Sequence, residues 1–347
     1  MLMYWVMFMI PAVAVLMPGR YSPAVRTASW WLVAAAFTVI VGLRHQVGGD
    51  WYNYGYAFHR VASMPAELAF KYTDPGYYGL GWLIAQWGGD LYMLDLLCAA
   101  IVMYGVITFA RAQPLPWLAL LVAVPYLIVV VAMGYTRQSV ALGLVLVGLT
   151  QLGQGRVAKY VFWVLVGALF HKSAVLMLPI AALAASKRKI WTMLWVAVTT
   201  ATGTMLLLAD ESDALWKNYV LANYQSQGGQ IRVVMNAIPA LLLLLFRRRL
   251  GVSEGERKLW FWMAVFSLAC LPLVQLSSTA VDRVALYFIP IQMFVFARVQ
   301  RLAPTHNGRT AIVIGTMGYC ALVLYVWLNY ASFAPLWVPY QFMPMDS

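Results

Sequence analysis

Apolar stretches long enough to cross a membrane recur along this chain, and they set what it can fold into. A helix needs about 20 apolar residues to span the hydrocarbon core. Windows near 1–18, 27–43, 90–110, 115–133, 190–209, 259–276, 284–300 and 310–329 approach that length, and shorter ones lie near 136–153, 157–170, 172–186 and 232–246. Lipid offers backbone polar groups no water, so such segments must bond internally, as helices do. The expectation is an all-α polytopic membrane protein with about 12 (10–14) transmembrane helices. Only 10% of the residues are charged, against roughly 25% in soluble domains. No polar stretch is long enough for a soluble domain, so residues 1–347 read as a single transmembrane domain. The first apolar segment lacks a basic leader and an A-x-A-like cleavage site, and reads as a retained helix. Cys98, Cys270 and Cys320 lie inside apolar segments without metal-ligand spacing, which points to neither a disulfide framework nor a zinc site.

A net charge of +12 could suggest nucleic acid, but its placement is that of a topology signal. When the polar connections are assigned alternately to the two sides, one set collects most of the 24 basic residues, including Lys187–Lys189, Arg247–Arg249, Arg298 and Arg301, with only Glu254 and Glu256 as acids. The positive-inside rule makes that set cytoplasmic. Nucleic acid is not an expected partner. The other side then carries outer-face loops at about 44–89 and 210–231 and a tail at 330–347, rich in acidic and aromatic residues. Arg44, Arg137, Lys172 and Arg283 also fall there, each at the end of an apolar segment. A cation at mid-bilayer costs on the order of 2.5–3.5 kcal/mol, so several on one face suggest a site for an anion.

In the first outer loop, Gly48-Gly49 makes a turn and Asp50 is a suitable N-cap for a following helix. Trp51, Tyr54 and Phe58 would share one face of that helix, and Tyr52, Tyr56 and His59 another. These aromatics fit either an interfacial belt or a sugar-stacking platform. Segment 76–88 is too short to span and is expected to dip into or lie along the outer leaflet. Two hairpins point their tips outward, at Gly134–Gln138 and at Phe170–Ser173. The outer tail APLWVPYQF is expected to be ordered.

These residues resemble the EpsG family of bacterial polysaccharide polymerases. VGLRHQVGGDWYNYGYAF is similar to that family's Arg…Gly-x-Asp…Tyr signature, YTRQSVALGLVLVGL to its second motif, FHKSAVLMLPI to its third, and DRVALYF with WVPYQF to its C-terminal ones. Each is weak alone; five in order on one face form a more specific signal. The sequence departs from the pattern in His45 and Gln46 after Arg44 and in a second Gly before Asp50. The resemblance, grouped with Wzy-type polymerases, implies a polymerase of undecaprenyl-pyrophosphate-linked oligosaccharide repeat units at the periplasmic face of the bacterial inner membrane. It implies a fold similar to the GT-C class. Expected partners are lipid-pyrophosphate-linked glycans, membrane lipid, a chain-length regulator and a flippase.

The residues suit that chemistry. Arginine forks donate paired hydrogen bonds to phosphate and stay charged; Arg44, Arg137, Lys172 and Arg283 are the candidates for pyrophosphate. Lipid pyrophosphate leaves as a stable anion, so neutralising charge matters more than a strong acid. The acceptor hydroxyl benefits from a base. Asp50 and His171 are the favoured catalytic pair, with Asp74 and Asp282 behind them. Tyr52, Tyr54, Tyr135 and Asp282 are the candidate glycan contacts. No Asp-x-Asp pair exists, and metal-independent chemistry without a cofactor is expected. Structural alternatives stand beside these: an Arg44–Asp50 pair across the turn, a self-neutralising Asp282–Arg283 pair, and interface anchors at Arg137 and Lys172. An O-antigen ligase-like enzyme, a polysaccharide acyltransferase and a lipid-linked oligosaccharide flippase or transporter are the alternative functions.

Overall fold

The structure, a computed structural model, describes residues 1–17, 19, 21–184, 189–208 and 228–343. Its described regular elements are helical. They are α1 (Leu2–Leu16), α2 (Pro23–Gly42), α3 (Trp51–Ala62), α4 (Ala66–Lys71), α5 (Pro75–Gln86), α6 (Leu91–Arg111), α7 (Pro116–Ala123), α8 (Thr136–Gly153), α9 (Val157–Phe170), α10 (Leu178–Ala184), α11 (Lys189–Leu208), α12 (Gly229–Phe246), α13 (Glu254–Leu276), α14 (Ser278–Ala285), α15 (Pro290–Phe296) and α16 (His306–Tyr330). Polar residues start several of them as physics expects. Ser22, Asp90, Ser253 and Thr305 each accept a first-turn N–H with the side chain, at α2, α6, α13 and α16.

Five described helices are long and apolar enough to cross a membrane: α2, α6, α12, α13 and α16. A sixth is gained if Ser278–Phe288 and Pro290–Leu302, bent by 42°, form one broken span. Leu2–Leu16, Pro116–Ala132, Val157–Phe170 and Lys172–Ala184 are apolar but shorter. The chain is thus a multi-pass helical membrane protein, and length alone does not carry the expected twelve or so crossings.

α8 is buried along nearly its whole length and packs between α6 and α9. Small residues permit that approach: a Cβ on Gly105 of α6 would lie 2.0 Å from the carbonyl oxygen of Gly143 on α8, so the two backbones touch directly. Ahead of α8, α7 passes into a π-helical stretch, Val124–Ala132, at Pro125. Proline lacks an N–H and disturbs the regular ladder. The Val129 carbonyl in this stretch accepts the Trp337 indole N–H at 2.8 Å.

Trp337 belongs to the C-terminal tail, which clasps the loop after α2. Gly48 N–H donates to the Leu336 carbonyl, His45 N–H to Gln341 and Met343 N–H to Leu43, at 2.8–2.9 Å. Arg44 and Phe342 form an isolated antiparallel bridge, and the Tyr340 hydroxyl donates to the Ile40 carbonyl at 2.6 Å. These bonds hold the described part of the tail, to Met343, against that loop. Most of the outer loop expected at 210–231 falls on residues 209–227, outside the described residues.

Contacts sort the connections to two ends. Arg298 donates to Gln113, and Arg301 to the Leu250 and Gly251 carbonyls; all lie at the basic end. The residues argued above to form a site meet at the other.

Candidate functional site

The turn into α8 is the hub. Between them, the residues from Tyr135 to Gln138 engage Arg44, Asp74 and Arg283.

Thr136 faces Arg44. Its hydroxyl accepts from Arg44 Nη2 at 2.8 Å, while Nε donates to the Met133 and Val47 carbonyls and Nη1 to Val41. Nη2 also lies 3.2 Å from Asp95 on α6, and both side chains are 1% exposed. Arg44 is therefore a buried bolt, its donors spent inside the protein. This corrects its placement among the anion ligands, and its carboxylate partner is Asp95, not Asp50. The loop reaches this position through Gly48, whose φ of +106° suits glycine. A Cβ there would sit 2.2 Å from the Met133 carbonyl oxygen.

Arg137 keeps an open side. Nη1 donates to Asp74 Oδ2 at 2.8 Å, yet the arginine side chain remains 29% exposed against 3% for the aspartate. Its guanidinium lies over the rings of Tyr54 and Tyr78, 5.9 and 5.5 Å from their centroids, a cation–π cradle. Tyr54 is buried and so supports Arg137; this corrects its assignment as a glycan contact. Burial pushes its phenol up to about 12. Asp74 stands at the N-terminus of α5, and its Oδ1 accepts the Lys172 backbone N–H at 3.2 Å. One carboxylate thus ties α5, α8 and the α9–α10 junction together.

Gln138 and Tyr135 hold Arg283. Gln138 Nε2 donates to the Arg283 carbonyl at 2.7 Å, Arg283 Nη1 donates back to Gln138 Oε1 at 3.3 Å, and the guanidinium lies 4.6 Å from the Tyr135 ring centroid. Tyr135 is thereby a platform for the cation. Asp282 turns the other way. It is buried and takes both arms of Arg232 on α12, Nε donating to Oδ1 at 2.6 Å and Nη2 to Oδ2. That corrects both its glycan-contact role and the Asp282–Arg283 pair.

His171 occupies the junction between α9 and a 3₁₀ turn, Lys172–Met177. Burial, then the charges of Arg137, Arg283 and Lys172, hold its imidazole down at about 3. The ring is half-buried, and the segment carrying it is tied to Arg137 through Asp74, which accepts the Lys172 backbone N–H. Nδ1 is 2.6 Å from Ser173 Oγ, which is 3.0 Å from the Tyr287 hydroxyl.

Asp50 occupies the N-cap position of α3, but its side chain caps no backbone N–H. Among the described residues Oδ1 accepts a long bond, 3.4 Å, from Asn53, and its charge acts on Tyr54 and Tyr135. It stands half-buried at the edge of the cluster. α3 divides as its periodicity predicts: Tyr54 and Phe58 are buried, while Tyr52 and Tyr56 are 57% and 73% exposed. The outer face borders an open groove of about 620 Å³ lined by Trp51, Tyr52, Tyr56, His59, Asp90 and Tyr92.

Sequence reasoning missed Asp95, Arg232, Gln138, Ser173 and Tyr287. Asp95 and Arg232 did carry a signal, since a lone charge in an apolar helix must find a partner. The other three are ordinary residues, given roles only by the tertiary fold. Among the described residues, no three His, Cys, Asp or Glu side chains gather as a metal-binding group.

Residues 27–342 match the family model for the EpsG family. No curated protein and no solved structure matches the chain.

Proposed function

The chain belongs to the EpsG family, and from that premise and the geometry above we propose that it polymerises undecaprenyl-pyrophosphate-linked oligosaccharide repeat units at the periplasmic face of the inner membrane. The observation that carries this reading is that hydrogen bonds join the segments bearing Arg137, Arg283 and Lys172: Asp74 holds Arg137 and the Lys172 backbone N–H, and Gln138, next to Arg137, holds Arg283. The family match supports polysaccharide polymerisation. The cation cluster supports a donor carrying its charge as a pyrophosphate.

In this reading Arg137, Arg283 and Lys172 hold the donor pyrophosphate. The bond between the sugar anomeric carbon and a pyrophosphate oxygen breaks, and a bond to the acceptor hydroxyl oxygen forms. Lipid pyrophosphate departs, its charge neutralised by the guanidinium groups. Asp50 takes the hydroxyl proton. Tyr52 and Tyr56 on the open face of α3 stack the glycan, and Arg44 with Asp95 positions the loop bearing Asp50. A GT-C-like arrangement, independence from metal and association with a flippase and a chain-length regulator belong to the same proposal.

Arg137→Ala is expected to abolish polymer in cells while single repeat units and protein level remain. Arg137→Lys should rescue poorly, because an ammonium lacks the bidentate fork. Asp50→Asn, which keeps the shape, should slow the chemical step by about 10²–10⁴-fold. Normal polymer from Arg137→Ala would remove the site; normal polymer from Asp50→Asn would remove the base.

A further inference from the structure

Asp282 and Arg283 are neighbours in sequence, yet they take different partners. Successive residues on a helix lie about 100° apart. Asp282 meets α12, where Arg232 grips both carboxylate oxygens through Nε and Nη2. Arg283 meets the turn into α8. Its Nη1 donates to Gln138 Oε1 at 3.3 Å, and Gln138 Nε2 donates to its carbonyl at 2.7 Å. A guanidinium only donates and a carbonyl only accepts, so these two bonds fix which end of the amide faces which group. One buried side chain thus holds both the backbone and the fork of Arg283, and the Tyr135 ring lies 4.6 Å from the guanidinium. Among the described residues, Nε and Nη2 of the half-buried Arg283 make no hydrogen bond and no carboxylate pairs with it. That open edge is the one Arg232 uses on Asp282.

Arg137, the residue before Gln138, is held by different chemistry. Its Nη1 donates to the Asp74 carboxylate at 2.8 Å, which offsets its charge. A neutral amide holds Arg283 and offsets nothing. We infer that Gln138 is a positioning residue: it anchors Arg283 by Nη1 alone and presents the Nε–Nη2 edge, with its full charge, to a phosphate oxygen. A glutamate of the same shape would bind Nη1 more strongly and cancel the charge that the anion needs. The hydrogen bonds are independent of the polymerase reading; pyrophosphate as the anion rests on it. A phospholipid headgroup offers the same phosphate chemistry.

The test is binding of inorganic pyrophosphate to full-length protein in nanodiscs of zwitterionic lipid, at low and high ionic strength. Arg283→Gln should bind about 10–100-fold more weakly, the loss typical of a hydrogen bond to a charged group. Gln138→Glu should lose about as much, and both variants should depend less on ionic strength, because less positive charge faces the anion. Gln138→Met keeps the volume and the charge but frees the fork. It should bind about 3–10-fold more weakly, as for one neutral hydrogen bond, with the ionic-strength dependence of the unaltered protein. In the Arg283→Gln background Gln138→Met should cost nothing further, since a residue that acts through Arg283 has nothing left to position. Undiminished binding in Gln138→Met would overturn the positioning role. So would a full further loss in the Arg283→Gln background, which is what a merely structural role predicts. Undiminished binding in Arg283→Gln, or no pyrophosphate binding by the unaltered protein, would overturn the anion contact. The expected pattern in a protein that makes no polymer would strike the polymerase reading and support the inference. Effects confined to discs containing phosphatidylglycerol would assign the phosphate to a lipid headgroup and overturn pyrophosphate as the ligand.

Discussion

Arg44 gives its donors to the Val41, Val47 and Met133 carbonyls and to Thr136, whereas Arg137 leaves part of its fork open. The two were indistinguishable in the sequence, each a cation ending an apolar segment on the outer side. Their environments predict different failures. Arg44→Ala strands Asp95 in the interior, and breaking a buried pair costs about 3–5 kcal/mol. Lower thermal stability and lower protein level are expected, with part of both restored by Asp95→Asn. Full stability of Arg44→Ala would contradict the bolt. His171 predicts a pH effect. Its ordinary value is 6.5 and it is held at about 3, so as pH falls the unfolded chain takes up this proton first. The stability contributed is complete above 6.5 and is lost on descent toward 3. The unfolding midpoint of His171→Asn should therefore fall less than that of the unaltered protein below pH 6.5; parallel curves would contradict the assignment.

At the scale of elements, the turns carry as much of the site as the helices do. Gly48 lets the loop after α2 touch the end of the π-helical stretch, and the tail from Leu336 onward holds that loop from the other side. Gly48→Ala sets a Cβ against the Met133 carbonyl at a φ that side chains rarely adopt. A cost of about 1–3 kcal/mol is expected, read as a lower unfolding midpoint together with lost polymer. An unchanged midpoint would mean the contact is not made. The helices themselves were legible because apolar windows and caps are local signals: the faces of α3 follow from spacing alone, as does the start of α6 at Asp90. The ion pairs were not. Arg44–Asp95, Arg137–Asp74 and Arg232–Asp282 join residues about 50 to 63 positions apart, and nothing in a single sequence states which of several charges on one face will meet.

Across the whole molecule, Arg137 with Asp74, Arg283 with Gln138 and His171 with Ser173 are linked through α8 and the α9–α10 junction, while Arg298 bonds Gln113 elsewhere. The EpsG motifs gain a physical meaning in this arrangement. The first and last lock the loop after α2, the second forms the hub at α8, and the third and fourth supply His171 and Arg283. The central claim is that this cation cluster holds a lipid pyrophosphate during glycan polymerisation without a metal. Its most direct test is purified protein in nanodiscs given undecaprenyl-pyrophosphate-linked repeat units with excess chelator, following glycan length and released lipid pyrophosphate together. The prediction is polymer and lipid pyrophosphate from the unaltered protein and neither from Arg137→Ala of equal thermal stability. Strict dependence on added magnesium or manganese, or equal turnover by Arg137→Ala, would contradict it.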